Sequence, residues 1–182
     1  PHMLEQRIQQ QFFESADLQY QAAEALARPL AEATQAVVGA FTAGGKVLLC
    51  GLSGGAALAH HAAALFITAT ERNRPPLAAL ALDPDPRAIQ ALGLPGDLLL
   101  LVDPAAADLD AAIATVRAAQ GKDMTAVLLV GAQGAGLRET LAETDVLIVV
   151  PHERPARVLE AQLLALHALC DAVDVQLMGD PE

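Results

Sequence analysis

The stretch Lys46–Leu65, KVLLCGLSGGAALAHHAAAL, decides the fold class of this chain. An apolar run at 46–50 leads into the glycine turn GLSGG at 51–55, and an alanine-rich segment follows directly. This order predicts a β-strand that ends at a tight turn where a helix begins. The free backbone N–H groups at such a helix N-terminus can bind an anion. The turn therefore marks the edge of the fold at which we expect a functional site.

Outward from that stretch, apolar runs and helical patterns alternate to the end of the chain. Five strands separated by helices predict an α/β fold with a parallel sheet covered on both faces. A glycine-rich loop is predicted at 131–136, followed by a short helical segment at 137–143. The predicted strands lie at 46–50, 77–82, 97–102, 124–130 and 145–150, and the predicted helices at 54–70, 87–92, 103–120 and 155–178.

Two further helices are predicted before the first strand. Apolar residues recur every three or four positions over 3–26, and Pro29 suits the first turn of a second helix at 29–42. The wide apolar face of the first helix predicts an interface between subunits. We therefore expect one domain over 3–182, with a helical oligomerisation layer at 3–43 and an α/β core at 46–178. Residues 1–2 resemble a vector remnant.

The composition argues against several functional classes. The formal net charge of −11 disfavours binding to the phosphates of a nucleic acid. No uncharged apolar run approaches the roughly 20 residues of a membrane span, and the N-terminus lacks the apolar core of a secretory signal. Cys50 and Cys170 are too few for a disulfide framework, and we expect them to be buried thiols. A cytoplasmic protein without a membrane or nucleic-acid partner is therefore expected.

The glycine turn admits three interpretations. As a dinucleotide-binding loop, with Asp83 after the next strand, it departs from G-x-G-x-x-G because Ser53 stands at the second glycine. As a G-x-S-x-G nucleophile elbow, it would combine Ser53 with Asp103 and His152, but it follows the first strand rather than a later one. The third interpretation is a phosphate cradle at the helix N-terminus.

A series of motifs in one order distinguishes among these interpretations. They are AGGKVLLCG at 43–51, A-x-H at 59–61, ERNRP at 71–75, LPGDLLL at 94–100, KDMTAVLLVG at 122–131 and ARVLEAQLLALHALCD at 156–171. Together they resemble the sugar isomerase (SIS) domain family, in the branch of phosphoheptose isomerase and the DnaA initiator-associating protein. The resemblance spans nearly the whole chain from Met3. It implies a three-layer, flavodoxin-like sheet and a homotetramer packed through the N-terminal helices.

The same resemblance implies a sugar-phosphate site. His61 and His167 match histidines that serve the family in acid/base chemistry and, in some members, as zinc ligands. Moving a proton between adjacent carbons requires such an acid/base pair. The implied phosphate-binding residues are Gly51, Ser53, Gly54 and Gly55, where the isomerase branch has roughly G-N-G-G-S.

Several positions depart from the isomerase pattern. Leu65 and Leu159 stand where the family has a glutamate and a glutamine, which leaves the implied zinc ligand set incomplete. Leu52 replaces the asparagine of the turn. The segment 102–107 lacks the family's hydroxyl groups, and the charge of Asp103 is expected to repel a phosphate. The loop between the second and third strands is also shorter than in the family.

These departures favour a catalytically degenerate SIS-domain protein without a cofactor. We expect an oligomeric binding or regulatory protein similar to the DnaA initiator-associating protein, with a replication initiator as partner and with sugar-phosphate binding doubtful. The alternative is an active phosphoheptose isomerase that converts sedoheptulose 7-phosphate, with His61 and His167 as the surviving catalytic pair. A serine hydrolase acting through Ser53 is the remote alternative.

Overall fold

The computed structural model describes residues 2–69 and 71–180. Five parallel strands form one sheet in the order β2-β1-β3-β4-β5, which confirms the predicted fold class. Their bounds are β1 Val47–Gly51, β2 Ala79–Leu82, β3 Leu98–Asp103, β4 Thr125–Gly131 and β5 Val146–Val150. Each strand lies within two residues of its predicted position.

Helices cover both faces of the sheet. One core cluster packs α1, α2 and α5 on one face, and a second packs α3, α4 and a 3-10 helix on the other. The bounds are α1 His2–Thr42, α2 Ala56–Thr68, α3 Pro86–Leu92, α4 Leu109–Gln120, the 3-10 helix Ala132–Thr140 and α5 Pro155–Met178. Among the residues described, no helix is long and apolar enough to cross a membrane.

The central strand β3 shows why the sheet requires two covering layers. Every residue of Leu98–Asp103 is buried. Leu98, Leu100 and Val102 join the cluster under α1, α2 and α5, whereas the alternate Leu99 and Leu101 join the other. Because successive side chains of a strand point to opposite faces, a continuous apolar run is buried only when both faces are covered.

The prediction of two N-terminal helices is wrong, because α1 is a single helix of 41 residues with Pro29 inside it. A proline in a helix interior removes a hydrogen bond and costs about 3 kcal/mol. Buried contacts continue on both sides of Pro29: Leu26 before it, and Ala33 and Val37 after it, all join the main core cluster. Burial of that face offsets the local cost and keeps the helix continuous.

The glycine-rich loop predicted at 131–136 is also wrong. Residues Ala132–Thr140 form a 3-10 helix, and only its last four residues fall in the segment predicted to be helical. Gly134 and Leu137 are buried in this segment. A methyl group added at Gly134 would lie 2.7 Å from the Cβ of Val130. The glycine therefore permits close packing against β4, which a composition-based loop assignment misses.

Candidate functional site

The glycine turn at 51–55 lies at the carboxyl edge of the sheet, where the strand order reverses. Strand β1 has β2 on one side and β3 on the other, so the connections that leave β1 and β3 run to opposite sides. In open α/β sheets, the crevice outside the strand ends at this reversal is the usual ligand site. The fold thus places the turn where the sequence predicts a binding site.

Close packing explains two of the four glycine-turn residues predicted to bind phosphate. A Cβ atom at Gly51 would lie 2.1 Å from the carbonyl carbon of Gly55, and one at Gly55 would lie 2.2 Å from the carbonyl oxygen of Val102. Both glycines are buried. Their absent side chains allow the turn to pack directly against β3.

The other two residues of the turn face solvent. Ser53 and Gly54 have φ values of 50° and 94°, and the N–H of Gly55 donates to the carbonyl of Leu52 at 2.8 Å to close the turn. Among the residues that the structure describes, no side chain caps the N-terminus of α2, which begins at Ala56. The first backbone N–H groups of a helix have no partner within the helix. Ser53 and this helix terminus therefore form an exposed, hydrogen-bond-donating surface.

Asp103 does not face this surface, contrary to the expected repulsion of phosphate. Its side chain follows Leu99 and Leu101 on the α4 face of the sheet, whereas α2 covers the other face. The residue is fully buried, and its Oδ1 accepts a hydrogen bond of 2.8 Å from the N–H of Ala106. Its Oδ2 has no partner among the residues described. Asp103 thus organises the loop after β3.

The structure does not assemble the hydrolase triad. Asp103 bonds to the backbone of Ala106, and Nδ1 of His152 accepts from the N–H of Arg154 at 3.0 Å. Within the described part of the chain, neither side chain hydrogen-bonds to the other or to Ser53. A serine nucleophile needs an adjacent general base oriented by a third group, so this geometry does not support the elbow interpretation. Asp83, named for the dinucleotide interpretation, is exposed.

His61 and His167 come together although 106 residues separate them in sequence. His61 lies on α2 and His167 on α5, and their Nε2 atoms are 2.7 Å apart. Their ring centroids are 5.0 Å apart at an interplanar angle of 58°. Two ring nitrogens at this distance need one proton between them, so one ring donates and the other accepts. The neighbouring His60 instead directs Nδ1 to the carbonyl of Ala56, at 2.9 Å.

The zinc site that the resemblance implies does not fit these residues. Tetrahedral zinc, with Zn–N distances near 2.0–2.1 Å, holds two nitrogens about 3.3 Å apart. The 2.7 Å separation is a direct hydrogen bond. Leu65 lies beside His167, and Leu159 packs against the core, so neither supplies a donor atom. Over 2–69 and 71–180, no three His, Cys, Asp or Glu residues are placed to hold a metal ion.

A pocket of about 70 Å³ lies beside the histidine pair. Arg74 enters it from the segment after α2 and is almost completely buried. Its Nε donates to Oδ1 of Asp174 at 2.5 Å, and its Nη1 and Nη2 donate to the carbonyls of Phe66 and Leu65 at 2.7 and 3.1 Å. The pocket is lined by Leu65, Glu71, Arg72, Arg74, His167, Cys170, Asp171 and Asp174.

Arg74 belongs to the ERNRP motif at 71–75, but the sequence alone indicated no role for it. Asp174 was not identified as a functional residue from the sequence. One signal was present, because Asp174 lies between Val173 and Val175 in the C-terminal part of a helix whose apolar residues are mostly buried. Charged residues are almost never fully buried unless they are paired. The partner itself was not visible, since 100 residues separate the two side chains.

A second buried arginine ties α1 to the start of α5. Arg157 contacts Glu160 through Nη1, and its Nη2 donates to Oε1 of Gln11 at 2.5 Å. The Arg157 side chain is 6% exposed, whereas the Glu160 side chain is 39% exposed. Arg154 adds a longer contact of 3.5 Å to Glu14. These contacts tie Gln11 and Glu14 of α1 to the start of α5.

Both cysteines are free and buried. Burial raises the pKa of the Cys50 thiol to about 12. For Cys170, burial is again the main cause, the carboxylate of Asp174 adds to it, and the pKa rises to about 12. Because the thiolate is the nucleophilic form, neither cysteine is suited to nucleophilic catalysis near neutral pH.

Comparison with known proteins gives a consistent result. Residues 11–94 match the SIS domain family. A phosphoheptose isomerase of Methylibium petroleiphilum is 50% identical over 99% of this chain and 98% of its own length. One of Thiobacillus denitrificans is 38% identical over 98% and 99%. The phosphoheptose isomerase GmhA of Neisseria gonorrhoeae superposes with a TM-score of 0.85 at 32% identity, covering 94% of this chain and 98% of that one.

A phosphoheptose isomerase of Francisella tularensis superposes with a TM-score of 0.86 at 28% identity, covering 93% of this chain and 97% of that one. These matches overturn the prediction of a degenerate, regulatory protein similar to the DnaA initiator-associating protein. That prediction is wrong because relatives matching nearly the full length are named as enzymes. It weighed the departures at Leu52, Leu65, Leu159 and the segment 102–107 above the matching histidines, His61 and His167.

Proposed function

This chain belongs to the SIS-domain family, in the branch of the phosphoheptose isomerases, and we propose that it is an aldose–ketose isomerase of a heptose phosphate. The proposed substrate is sedoheptulose 7-phosphate, which is converted to the corresponding aldose 7-phosphate. The observation that carries the proposal is the Nε2–Nε2 contact of 2.7 Å between His61 and His167. It places one proton donor and one proton acceptor at a single point.

The reaction requires that donor and acceptor. A base removes a proton from the carbon next to the carbonyl, and an enediol forms when the carbonyl oxygen takes up a proton. Return of a proton to the other carbon and loss of one from the second oxygen give the isomer. When a sugar carbonyl accepts the N–H in place of the neighbouring ring, the second Nε2 is free to act on the adjacent carbon. General acid–base catalysis of this kind contributes about 10²–10⁴-fold in rate.

The phosphate is proposed to bind at the exposed turn. Ser53 and Gly54 lie there with the uncapped N-terminus of α2, which favours an anion. Gly55 and His61 are six residues apart, which corresponds to about 9 Å along a helix. In an open-chain heptose 7-phosphate, the phosphate and the reacting carbons lie at opposite ends of the carbon chain. The separation between Gly55 and His61 therefore suits a substrate whose phosphate binds at the turn and whose reacting carbons lie at the histidines.

The proposed chemistry proceeds without a bound metal. The residues at the four implied zinc-ligand positions do not suit a zinc ion. Two of them are imidazoles in direct contact, and the other two are Leu65 and Leu159. Zinc sites in proteins use three or four protein ligands. The two histidines therefore handle the proton themselves in this proposal.

We propose further that the chain forms a homo-oligomer, a tetramer as the family resemblance implies. The N-terminal half of α1 exposes Leu4, Phe12 and Tyr20, with exposed fractions of 67%, 72% and 80%. We expect a second subunit to cover these exposed apolar side chains. Light scattering on the wild type should give the mass of a tetramer, and Phe12→Glu with Phe13→Glu should lower it. Gln21→Glu, an exposed polar change on the same helix, serves as the control.

The isomerase proposal is tested by incubating the purified protein with sedoheptulose 7-phosphate and following the aldose by NMR. The wild type should form product, and His61→Ala and His167→Ala should each reduce the rate by about 10²–10⁴-fold. His60→Ala is the matched control, because its ring hydrogen-bonds within its own helix. Absence of turnover by the wild type at high protein concentration, or equal losses for all three variants, would contradict the proposal.

A further inference from the structure

The segment after α2 makes a buried cross-link to α5. The side chain of Arg74 is 2% exposed and that of Asp174 is 11% exposed. Besides Asp174, the guanidinium reaches the carbonyls of Leu65 and Phe66, which belong to the last turn of α2. Both carbonyls also accept from a backbone N–H, Leu65 from Ala69 at 3.3 Å and Phe66 from Leu77 at 3.1 Å. The guanidinium adds a second donor to each and places a positive charge at the negative end of the helix dipole.

This cross-link joins the same two helices as the histidine pair. On α5, Asp174 lies seven residues after His167, which places both on one face of the helix. On α2, the carbonyl of Leu65 lies four residues after His61, which is one helical turn. The two contacts between α2 and α5 therefore stand next to each other, one at the exposed histidines and one in the interior.

The two contacts differ in strength. The histidine contact is a single hydrogen bond between exposed rings. The arginine contact combines an ion pair with several hydrogen bonds in a buried setting, and removing one partner there leaves an uncompensated charge. The guanidinium binds several acceptors in one plane, which the single ammonium group of a lysine cannot reproduce.

We infer that the Arg74–Asp174 cross-link sets the separation of α2 and α5, and through it the Nε2–Nε2 distance of His61 and His167. Arg74 is thus a positioning residue for proton transfer, an assignment that rests on the proposed isomerase function. It touches no reacting atom in this account. Displacements of about 1 Å in a catalytic pair can cost on the order of 100-fold in rate.

The test compares Arg74→Lys with Arg72→Lys. Arg72 is a matched control, since it lies in the same segment and also contacts α5, through Asp171 at 3.3 Å, but does not reach α2. We expect Arg74→Lys to lower kcat roughly 100-fold with KM nearly unchanged, and Arg72→Lys to leave both nearly unchanged. Crystal structures of the wild type and the Arg74→Lys variant should show the histidine rings in contact in the first and separated in the second.

Rescue gives a second readout that loss of stability would not produce. Low millimolar guanidinium chloride should restore part of kcat to Arg74→Ala and none to His167→Ala. If Arg74→Lys does not fold, Asp174→Asn takes its place, because it keeps an acceptor for the guanidinium while removing the charge. Intact histidine contact and unchanged kcat in a folded Arg74 or Asp174 variant would overturn the inference. Separated rings in the variant together with an inactive wild type would instead overturn the proposed function alone.

Discussion

The glycine turn and the histidine pair are both parts of one proposed site, but they are built differently. The turn depends on the backbone: Gly51 and Gly55 leave no room for a side chain, and α2 begins uncapped directly after them. The histidine pair depends on side chains from α2 and α5, held beside the Arg74–Asp174 cross-link. Side chains in the turn can change while its shape persists, whereas the pair requires two specific residues at one distance.

The largest effect is expected from a double variant that supplies the two polar side chains missing from the implied zinc site. It would turn the histidine pair, but not the glycine turn, into a different kind of site. Leu65→Glu with Leu159→Gln places a carboxylate and a carboxamide at the positions of the implied ligands. We expect the double variant to bind one zinc ion per chain, because four protein donors complete a tetrahedral set. The wild type should bind none in stoichiometric amount.

Metal content after dialysis and calorimetric titration with zinc measure this difference. The same double change combined with His167→Ala is the control, since it removes one donor and should weaken binding strongly. Stoichiometric zinc in the wild type would show that the histidine contact opens to admit a metal ion.

Adding a side chain at a buried glycine of the turn should lower the free energy of unfolding more than any substitution at the exposed residues of the turn. A Cβ at Gly55 would lie 2.2 Å from a backbone oxygen of Val102, which cannot move as a flexible side chain can. We expect Gly55→Ala to lower the free energy of unfolding by about 3 kcal/mol or more. Urea denaturation measures it. Gly136→Ala is the matched control, since a Cβ there would meet no atom of residues 2–69 and 71–180 within 4 Å, and it should stay within about 0.5 kcal/mol of wild type.

Asp97 and Lys46 form an ion pair at the opposite edge of the sheet, away from the proposed substrate site. This pair can be tested by stability measurements without a substrate. Asp97 accepts hydrogen bonds from the Nζ and N–H of Lys46 and from the N–H of Leu94, at 2.5, 2.9 and 2.8 Å. Burial alone would raise the pKa of Asp97, but these donors outweigh it and hold the pKa below the ordinary value of 3.8.

A lowered pKa in the folded state means that the carboxylate of Asp97 stabilises the protein above its unfolded pKa. That contribution is lost as the pH falls below 3.8 toward the folded value. Asp97→Asn should therefore be less stable than wild type by about 2 kcal/mol at pH 6, and the gap should narrow below pH 4. Thermal unfolding at several pH values measures the gap. A gap that is constant with pH would contradict the assignment.

The smallest effect is expected at Ser53. Its hydroxyl is one donor among several backbone N–H groups in the proposed phosphate cradle. Ser53→Ala should raise KM for the sugar phosphate about threefold to tenfold and leave kcat nearly unchanged, in keeping with one hydrogen bond of 0.5–1.5 kcal/mol. Steady-state kinetics separate the two constants. A large fall in kcat would instead give Ser53 a role in the chemical step.

The sequence was sufficient for the parts of the fold that local patterns determine. The apolar runs predicted all five strands, because a strand buried on both faces consists of consecutive apolar residues. Pro29 misled the prediction of α1, since the local cost of a proline was visible and the distant packing against α5 and β5 that offsets it was not.

The site was harder to predict than the fold. The positions of Gly51–Gly55 followed from the turn itself. His61 and His167 were named as a pair only through the family resemblance, because 106 residues separate them. The contact between Arg74 and Asp174, 100 residues apart, was missed because no local pattern encodes it. The burial of Asp103 depended on which face of β3 it occupies, and a charge alone in the sequence suggested the opposite conclusion.

The most direct measurement of the central claim is a double-mutant cycle on the histidine pair. The rates of His61→Ala, His167→Ala and the double variant are compared with that of the wild type on sedoheptulose 7-phosphate. Two rings that share one proton act as a unit, so the double variant should be no slower than either single variant. Losses that multiply in the double variant, or a single variant that retains the wild-type rate, would contradict the account.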